Sequence, residues 1–448
     1  MEFHDTYMLD RYEQILVYPK EEMERRWALA RRVMEEQGAD LMLVLEGSFE
    51  GYNHWFAGSR EFECIIVPKE GEIVAVVSSE ICRDPAYRKE RPVQYGKLFY
   101  QKPLAPLHPM LRYVHDFDAR DIREMMAGRE MTSGGETTSG GETTSGGEMM
   151  SGGPEGGRPG DDGCRKNRLR IAMIHPEVLK QSMYENMREA LGEFSYFDIG
   201  IPLDAVRVVK SGVERGLIEQ TNVMNEKLMW AAAQVIREGR TVKDVTDEMQ
   251  YMAMNLGSGG HFVHVFCCHV GPQDEPDIDT MGRLPFPGYT LRHNDKIFML
   301  IETNGPGGHY SALGRFFILG RASEETKRYW EMAVAAQKNA ARLMKPGATV
   351  RQIADENYRY ITEECGFLTN HQNYLHGLGF QYGEQPYLNA PSENVPLREG
   401  MHYIAHPVIR RPYPGTDAED GYFALDTYYI TKDGGVRANS FPQSIIEL

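Results

Sequence analysis

Apolar residues recur at three- and four-residue spacing through KEEMERRWALARRVMEEQGA (20–39), which predicts an amphipathic helix stopped by Gly38. The uninterrupted apolar run DLMLVLEG that follows predicts a short buried strand. FECIIVPKEG and EIVAVVSS, meeting at the turn-like KEGE, predict further strands, and RLRIAMI (168–174) resumes the pattern. Helix alternating with strand over residues 1–200 describes an α/β domain.

The pattern changes near Ile201. VIREGRTVKDVTDEM (235–249) and RLMKPGATVRQIADE (342–356) share a helix end, a basic residue, Gly, and then Thr-Val. In each, Gly is expected to stop one helix and Thr to cap the next by accepting a free backbone N–H. Two such units about 108 residues apart predict a pseudo-symmetric domain over 201–448 with its site between the halves. KIFMLIETN (296–304) and GRFFILG (314–320), joined by GPGGHYSAL, and then HYIAHPVI (402–409) and YFALDTYYITKDGG (422–435), predict strands of a curved antiparallel sheet.

Between Ala127 and Asp162 TSGGET repeats at 132–137 and 138–143 and degenerates to TSGGEM at 144–149. Such a stretch cannot bury a core and is expected to be a flexible surface insertion. A formal charge of −16 argues against nucleic acid and against anionic membranes, and leaves small molecules, short peptides or another protein as partners. No apolar run approaches the roughly 20 residues that span a bilayer, and the acidic MEFHDTYMLDRYEQ lacks the basic segment of a signal peptide. The six cysteines show no CxxC spacing and read as reduced cytosolic thiols, with Cys267 and Cys268 as small buried residues on a strand.

VRVVKSGVE (206–214), ETNGPGGHYSALGR (302–315), HGLGFQYGEQP (376–386), LREGMHYIAHP (397–407) and LDTYYITKDGG (425–435) stand in the order of the landmarks of the M24 metallopeptidases. Residues 205–437 resemble their pita-bread domain, and the first 200 residues a creatinase-type N-terminal domain. The resemblance is to a family that includes Xaa-Pro aminopeptidases, prolidases and creatinase. It implies an α/β first domain, an α+β pita-bread catalytic domain and a homodimer.

The family's peptidases hold two divalent ions with two Asp, one His and two Glu. Carried onto this chain, those positions are Glu302, then Ala312 or Leu313 depending on a one-residue gap, His376, His406 and Leu425. Loss of both bridging carboxylates is expected to abolish a dinuclear centre, because neither Ala nor Leu donates to an ion. Creatinase uses the same fold without metal. The resemblance therefore favours a metal-independent hydrolase or lyase acting on a C–N bond of a small nitrogen-containing substrate, with His376, His406 and Glu302 as the chemical groups. His309, Tyr310 and Glu384 are the expected substrate contacts, and Arg315 is expected in a structural salt bridge. A single divalent ion on Glu302, His376 and His406 is one alternative, an Xaa-Pro-type peptidase another and a non-catalytic binding protein a third. His261, His264 and His269 in HFVHVFCCH are expected to be structural, since alternation along a strand splits them between faces.

Overall fold

The computed structural model describes residues 18–45, 51–58, 62–77, 110–126, 168–258, 264–278, 288–370 and 374–448. The TSGGET repeats and His261 lie outside them.

The first domain is a mixed sheet in the order β4-β3-β2-β1-β5-β6, formed by β1 (Leu41–Leu45), β2 (Cys64–Pro68), β3 (Val74–Val77), β4 (Arg112–His115), β5 (Leu169–Ile174) and β6 (Phe194–Asp198). All five residues of β1 are buried, as the run LMLVL requires of a central strand covered on both faces. Helices α1 (Lys20–Glu36), α2 (Tyr52–Ala57), α3 (Ala119–Met126) and α4 (Gln181–Leu191) supply that cover. The first of them ends at Glu36, and Gly38 takes the left-handed turn (φ 67°) expected of it.

Helix α5 (Gly200–Arg207) leads into the second domain, where α6 (Gly212–Val235) and α7 (Val242–Asn255) pack on β7 (His264–Pro272), β8 (Asp295–Asn304) and β9 (Tyr310–Ile318). Their counterparts α8 (Glu324–Leu343) and α9 (Val350–Arg359) pack on a second sheet. The strands that follow are β10 (Leu368–Thr369), β11 (Leu375–Gly377), β12 (Glu384–Tyr387), β13 (His402–Ala405), β14 (Ile409–Pro412), β15 (Glu419–Tyr422), β16 (Asp426–Thr431), β17 (Gly434–Arg437) and β18 (Ile446–Glu447). The two large sheets run β18-β9-β8-β7 and β12-β11-β13-β16-β17, bridged where Gly314 pairs with Leu425. Between them lies an apolar layer that includes Phe298, Tyr310, Ala312, Ile404, Phe423 and Leu425.

The two Gly-Thr junctions behave nearly as expected. Thr241 and Thr349 cap α7 and α9 by accepting from Asp244 N and Gln352 N at 3.1 and 3.2 Å. The preceding helices, however, each stop four positions before the glycine, at Val235 and Leu343, and Gly239 and Gly347 serve the turn instead with φ of 85° and 90°.

The domains are joined by a buried ion network. Arg26 on α1 lies 2.7 Å from Glu22 and 3.2 Å from Glu214 on α6, and Arg25 lies 3.1 Å from Glu214. Glu214 also closes the capping box of its own helix with Ser211. Among the described residues no helix is long and apolar enough to cross a membrane.

Candidate functional site

Strand β8 is buried along its whole length, so alternation decides what each residue meets. Thr303 turns to α6, donating to Asn225 Oδ1 at 2.5 Å, and Glu302 turns toward the second sheet. The register pairs Glu302 with Ala312. That removes the one-residue ambiguity: Ala312 shares the inter-sheet layer, and Leu313 packs with the α6 and α7 helices.

His376 sits on β11 between Ile404 of β13 and Tyr387 of β12. Its ring is stacked on Tyr387, centroids 4.8 Å apart and 10° from parallel. Nδ1 lies 3.0 Å from the Gly377 carbonyl, which can only accept, so Nδ1 carries the proton and Nε2 is the basic nitrogen. His406 was expected on a strand, and it lies one residue past the end of β13 instead. Pro407 has no N–H to continue the ladder, and β14 begins at Ile409. The His406 amide donates to Tyr374 O at 3.2 Å, and its ring stands 5.8 Å from that of His376 at 77° and 5.8 Å from Phe423.

Burial dominates the electrostatics. It lowers the His376 pKa, against the Gly377 carbonyl and Glu302, which raise it. His406 is lowered to about 4 by burial and by His376, with Glu302 again opposing. Both imidazoles are therefore neutral at pH 7, beside one carboxylate that favours whichever takes a proton.

The divalent metals implied by the family do not fit this donor set. Ala312 and Leu425 occupy two of the five positions and are 1% exposed within the apolar layer. Asp426, one residue from the lost glutamate, is not available to replace it: Arg315 Nη2 holds its Oδ1 at 2.6 Å and Gln443 its Oδ2 at 3.0 Å. Among the described residues no group of three or more His, Cys, Asp or Glu side chains is close enough together to hold an ion.

The other expected contacts are distributed differently. Tyr310 is a wall residue, 1% exposed, whose N–H donates to Gly379 O at 2.6 Å. Glu384 is turned into the interior, where Lys210 pairs with its Oε2 and Phe380 N donates to Oε1 at 2.9 Å, so both oxygens are already engaged within the fold. His309 is fully buried against Phe380 at the domain boundary, and among the described residues neither ring nitrogen has a hydrogen-bond partner. Arg315 is in the salt bridge expected of it. His269 is bound to Asp277 at 2.5 Å, and Cys267 and Cys268 are buried on β7, all three structural.

Sequence reasoning missed Tyr387 and Phe423. Each is set against a histidine by strand pairing or sheet packing, and neither carries a local signal of that role.

These buried imidazoles have a consequence for stability. His309 is lowered well below its ordinary 6.5, His402 to about 3 and His406 to about 4, burial being the first cause in each. An unfolded chain takes up those protons near pH 6.5 and the native chain does not, so stability falls as pH drops from 6.5 toward 4. Each pKa unit is worth about 1.4 kcal/mol. Urea midpoints across that window should fall steeply in the native sequence and less steeply in His402→Gln; equal slopes would refute the assignment.

Residues 216–438 match the model of metallopeptidase family M24. The chain is 25% identical over 278 residues to the Xaa-Pro dipeptidase of Pyrococcus furiosus, covering 60% of this chain and 74% of that one. It is 28% identical over 250 residues to the Xaa-Pro dipeptidase of Pyrococcus horikoshii, covering 54% and 65%. The solved X-Pro aminopeptidase of Thermotoga maritima superposes with a TM-score of 0.66 at 17% identity, covering 95% of this chain and 99% of that one. A dipeptidase of Mycobacterium ulcerans gives 0.63 at 19%, covering 96% and 99%. These structures share the creatinase-like first domain and the pita-bread second domain.

Proposed function

From the premise that the chain belongs to metallopeptidase family M24, we propose that it hydrolyses the C–N bond of a short peptide or a peptide-like amide with an imidazole pair in place of the family's two metals. The observation that carries this reading is the pairing of His376 with His406 beside Glu302, 5.8 Å ring to ring, where apolar Ala312 and Leu425 stand at the bridging positions. The Xaa-Pro dipeptidases among its relatives support the bond type.

In this mechanism Nε2 of His376 removes a proton from water as the oxygen attacks the carbonyl carbon. Glu302 stabilises the imidazolium that results. The proton then passes to the departing nitrogen, directly or by way of His406, and the C–N bond breaks to leave a carboxylic acid and an amine. Tyr387 keeps the His376 ring flat against it, and its own hydroxyl is pushed up to about 12 by burial first, then by Tyr382 and Glu302, so it stays protonated.

The test is turnover of a dipeptide panel, Xaa-Pro members included, by protein freed of metal with a chelator and assayed by elemental analysis. Turnover should survive chelation. Activity that vanishes with the metal and returns with one or two equivalents of a divalent ion would overturn the metal-free mechanism and leave a peptidase of the ordinary family type.

A further inference from the structure

Phe380 belongs by sequence to the same short segment as His376, HGLGF, yet it is buried in the core of the first domain with Tyr18, Trp27, Tyr52 and Trp55. Its ring lies 4.0 Å from that of His309 and 5.4 Å from that of His54, with the Arg26 guanidinium 5.1 Å away. The first-domain backbone presses on it as well. A Cβ on Gly51, which has φ 62°, would come within 2.6 Å of both Cβ and O of Phe380.

Between Phe380 and His376 the chain has no slack. Phe380 N donates to Glu384, Tyr310 N donates to Gly379 O, and Leu378 N donates to His402 O at 2.9 Å. Gly379 is confined too, since a Cβ there would meet Glu384 and lie 2.5 Å from Lys210 Nζ. A displacement of Phe380 therefore passes along the three residues between, Gly379, Leu378 and Gly377, each held by backbone pairing, to the residue whose ring stacks on Tyr387.

We propose that Phe380 is a positioning residue through which the first domain holds His376 in its stacked, hydrogen-bonded orientation, so that the site in the second domain is incomplete without the first. The proposal rests on His376 being the base, and it names a role for the first domain in the chemistry. Charged and titratable groups of both domains act on this arrangement. Arg26 and His54 come from the first domain; from the second, His309 and Glu384 contact Phe380, Lys210 and His402 act on His309, and Glu302, His406 and Tyr387 act on or pack against His376.

The experiment is a pH titration of the imidazole nitrogens by NMR in the full chain, with the His376 signal assigned by its loss in His376→Gln. Phe380→Ala opens the grip from one side. Gly51→Ala pushes on Phe380 from the first domain and changes no residue of the second. In both, His376 should titrate about one unit higher than in the native chain as water reaches a ring no longer held in place. Phe380→Leu, which keeps an apolar side chain in the slot, should restore most of the difference. For any dipeptide that is turned over, kcat should fall about tenfold in the two disruptive variants with KM little changed.

An unmoved His376 in folded Phe380→Ala and Gly51→Ala proteins, with only the melting temperature lowered, would reduce Phe380 to a packing residue and overturn the proposal. Should Phe380→Ala fail to fold, Gly51→Ala and Phe380→Leu carry the same comparison. The underlying reading fails separately: a shifted His376 in a chain that hydrolyses no member of the panel leaves the positioning in place and removes the hydrolase.

Discussion

His376→Gln should lower kcat/KM for a hydrolysed dipeptide by about 10²–10⁴-fold, the range expected when a positioned proton-transfer group is removed. Glutamine fills a similar volume and can still donate to the Gly377 carbonyl 3.0 Å from the native Nδ1, so the loss is one of proton transfer and the strand pairing of β11 survives. The native pH profile should carry the same signature. A base must be deprotonated to act, and burial holds His376 below its ordinary 6.5. The rate is therefore flat on the acid side of neutrality where an exposed histidine would already have titrated, and it falls only as pH drops through the lowered pKa. A His376→Gln protein with more than half the native kcat/KM would remove His376 from the mechanism.

Asp426→Ala should destabilise the fold by about 3–5 kcal/mol, the cost of leaving a buried charge without its partner. Arg315 is 0% exposed and spends its guanidinium on Asp426 and on the carbonyls of Gly314, Leu425, Phe441 and Pro442, at 2.6 to 3.4 Å. It thus ties β9, β16 and the C-terminal segment where the two sheets meet. Combining Arg315→Met with Asp426→Leu should recover most of the loss, because removing both charges also removes their desolvation cost. Urea unfolding of the single and double variants measures the coupling. A single variant within about 1 kcal/mol of the native chain, with altered metal content instead, would make Asp426 a metal ligand and overturn its structural role.

Helix α1, strands β1, β2, β3 and β5 of the first sheet and the two capped helices of the second domain were legible because their signals are local. Apolar spacing shows which face of KEEMERRWALARRVMEE is buried, and a threonine oxygen reaches an amide three residues away whatever the rest of the chain does. The identity of the broken ligand set was legible too, since Ala312 and Leu425 lack donor atoms in any conformation. Glu384 was misread for the converse reason. A glutamate in GEQP offers two oxygens to any neighbour, and nothing nearby in sequence announces that Lys210, 174 residues earlier, takes one of them.

The sequence by itself determined which elements form, which caps close them and which side chains at the site can or cannot donate to a metal or move a proton. Only the tertiary structure decided which of those side chains meet. The pairing of Glu302 with Ala312, the break that turns His406 toward His376, and the burial of Phe380 in the first domain all depend on register between strands and on packing between layers. A shift of one residue in a strand reverses the face of every side chain on it, so these meetings are settled by the energy of the whole assembled core and are not written in any one segment.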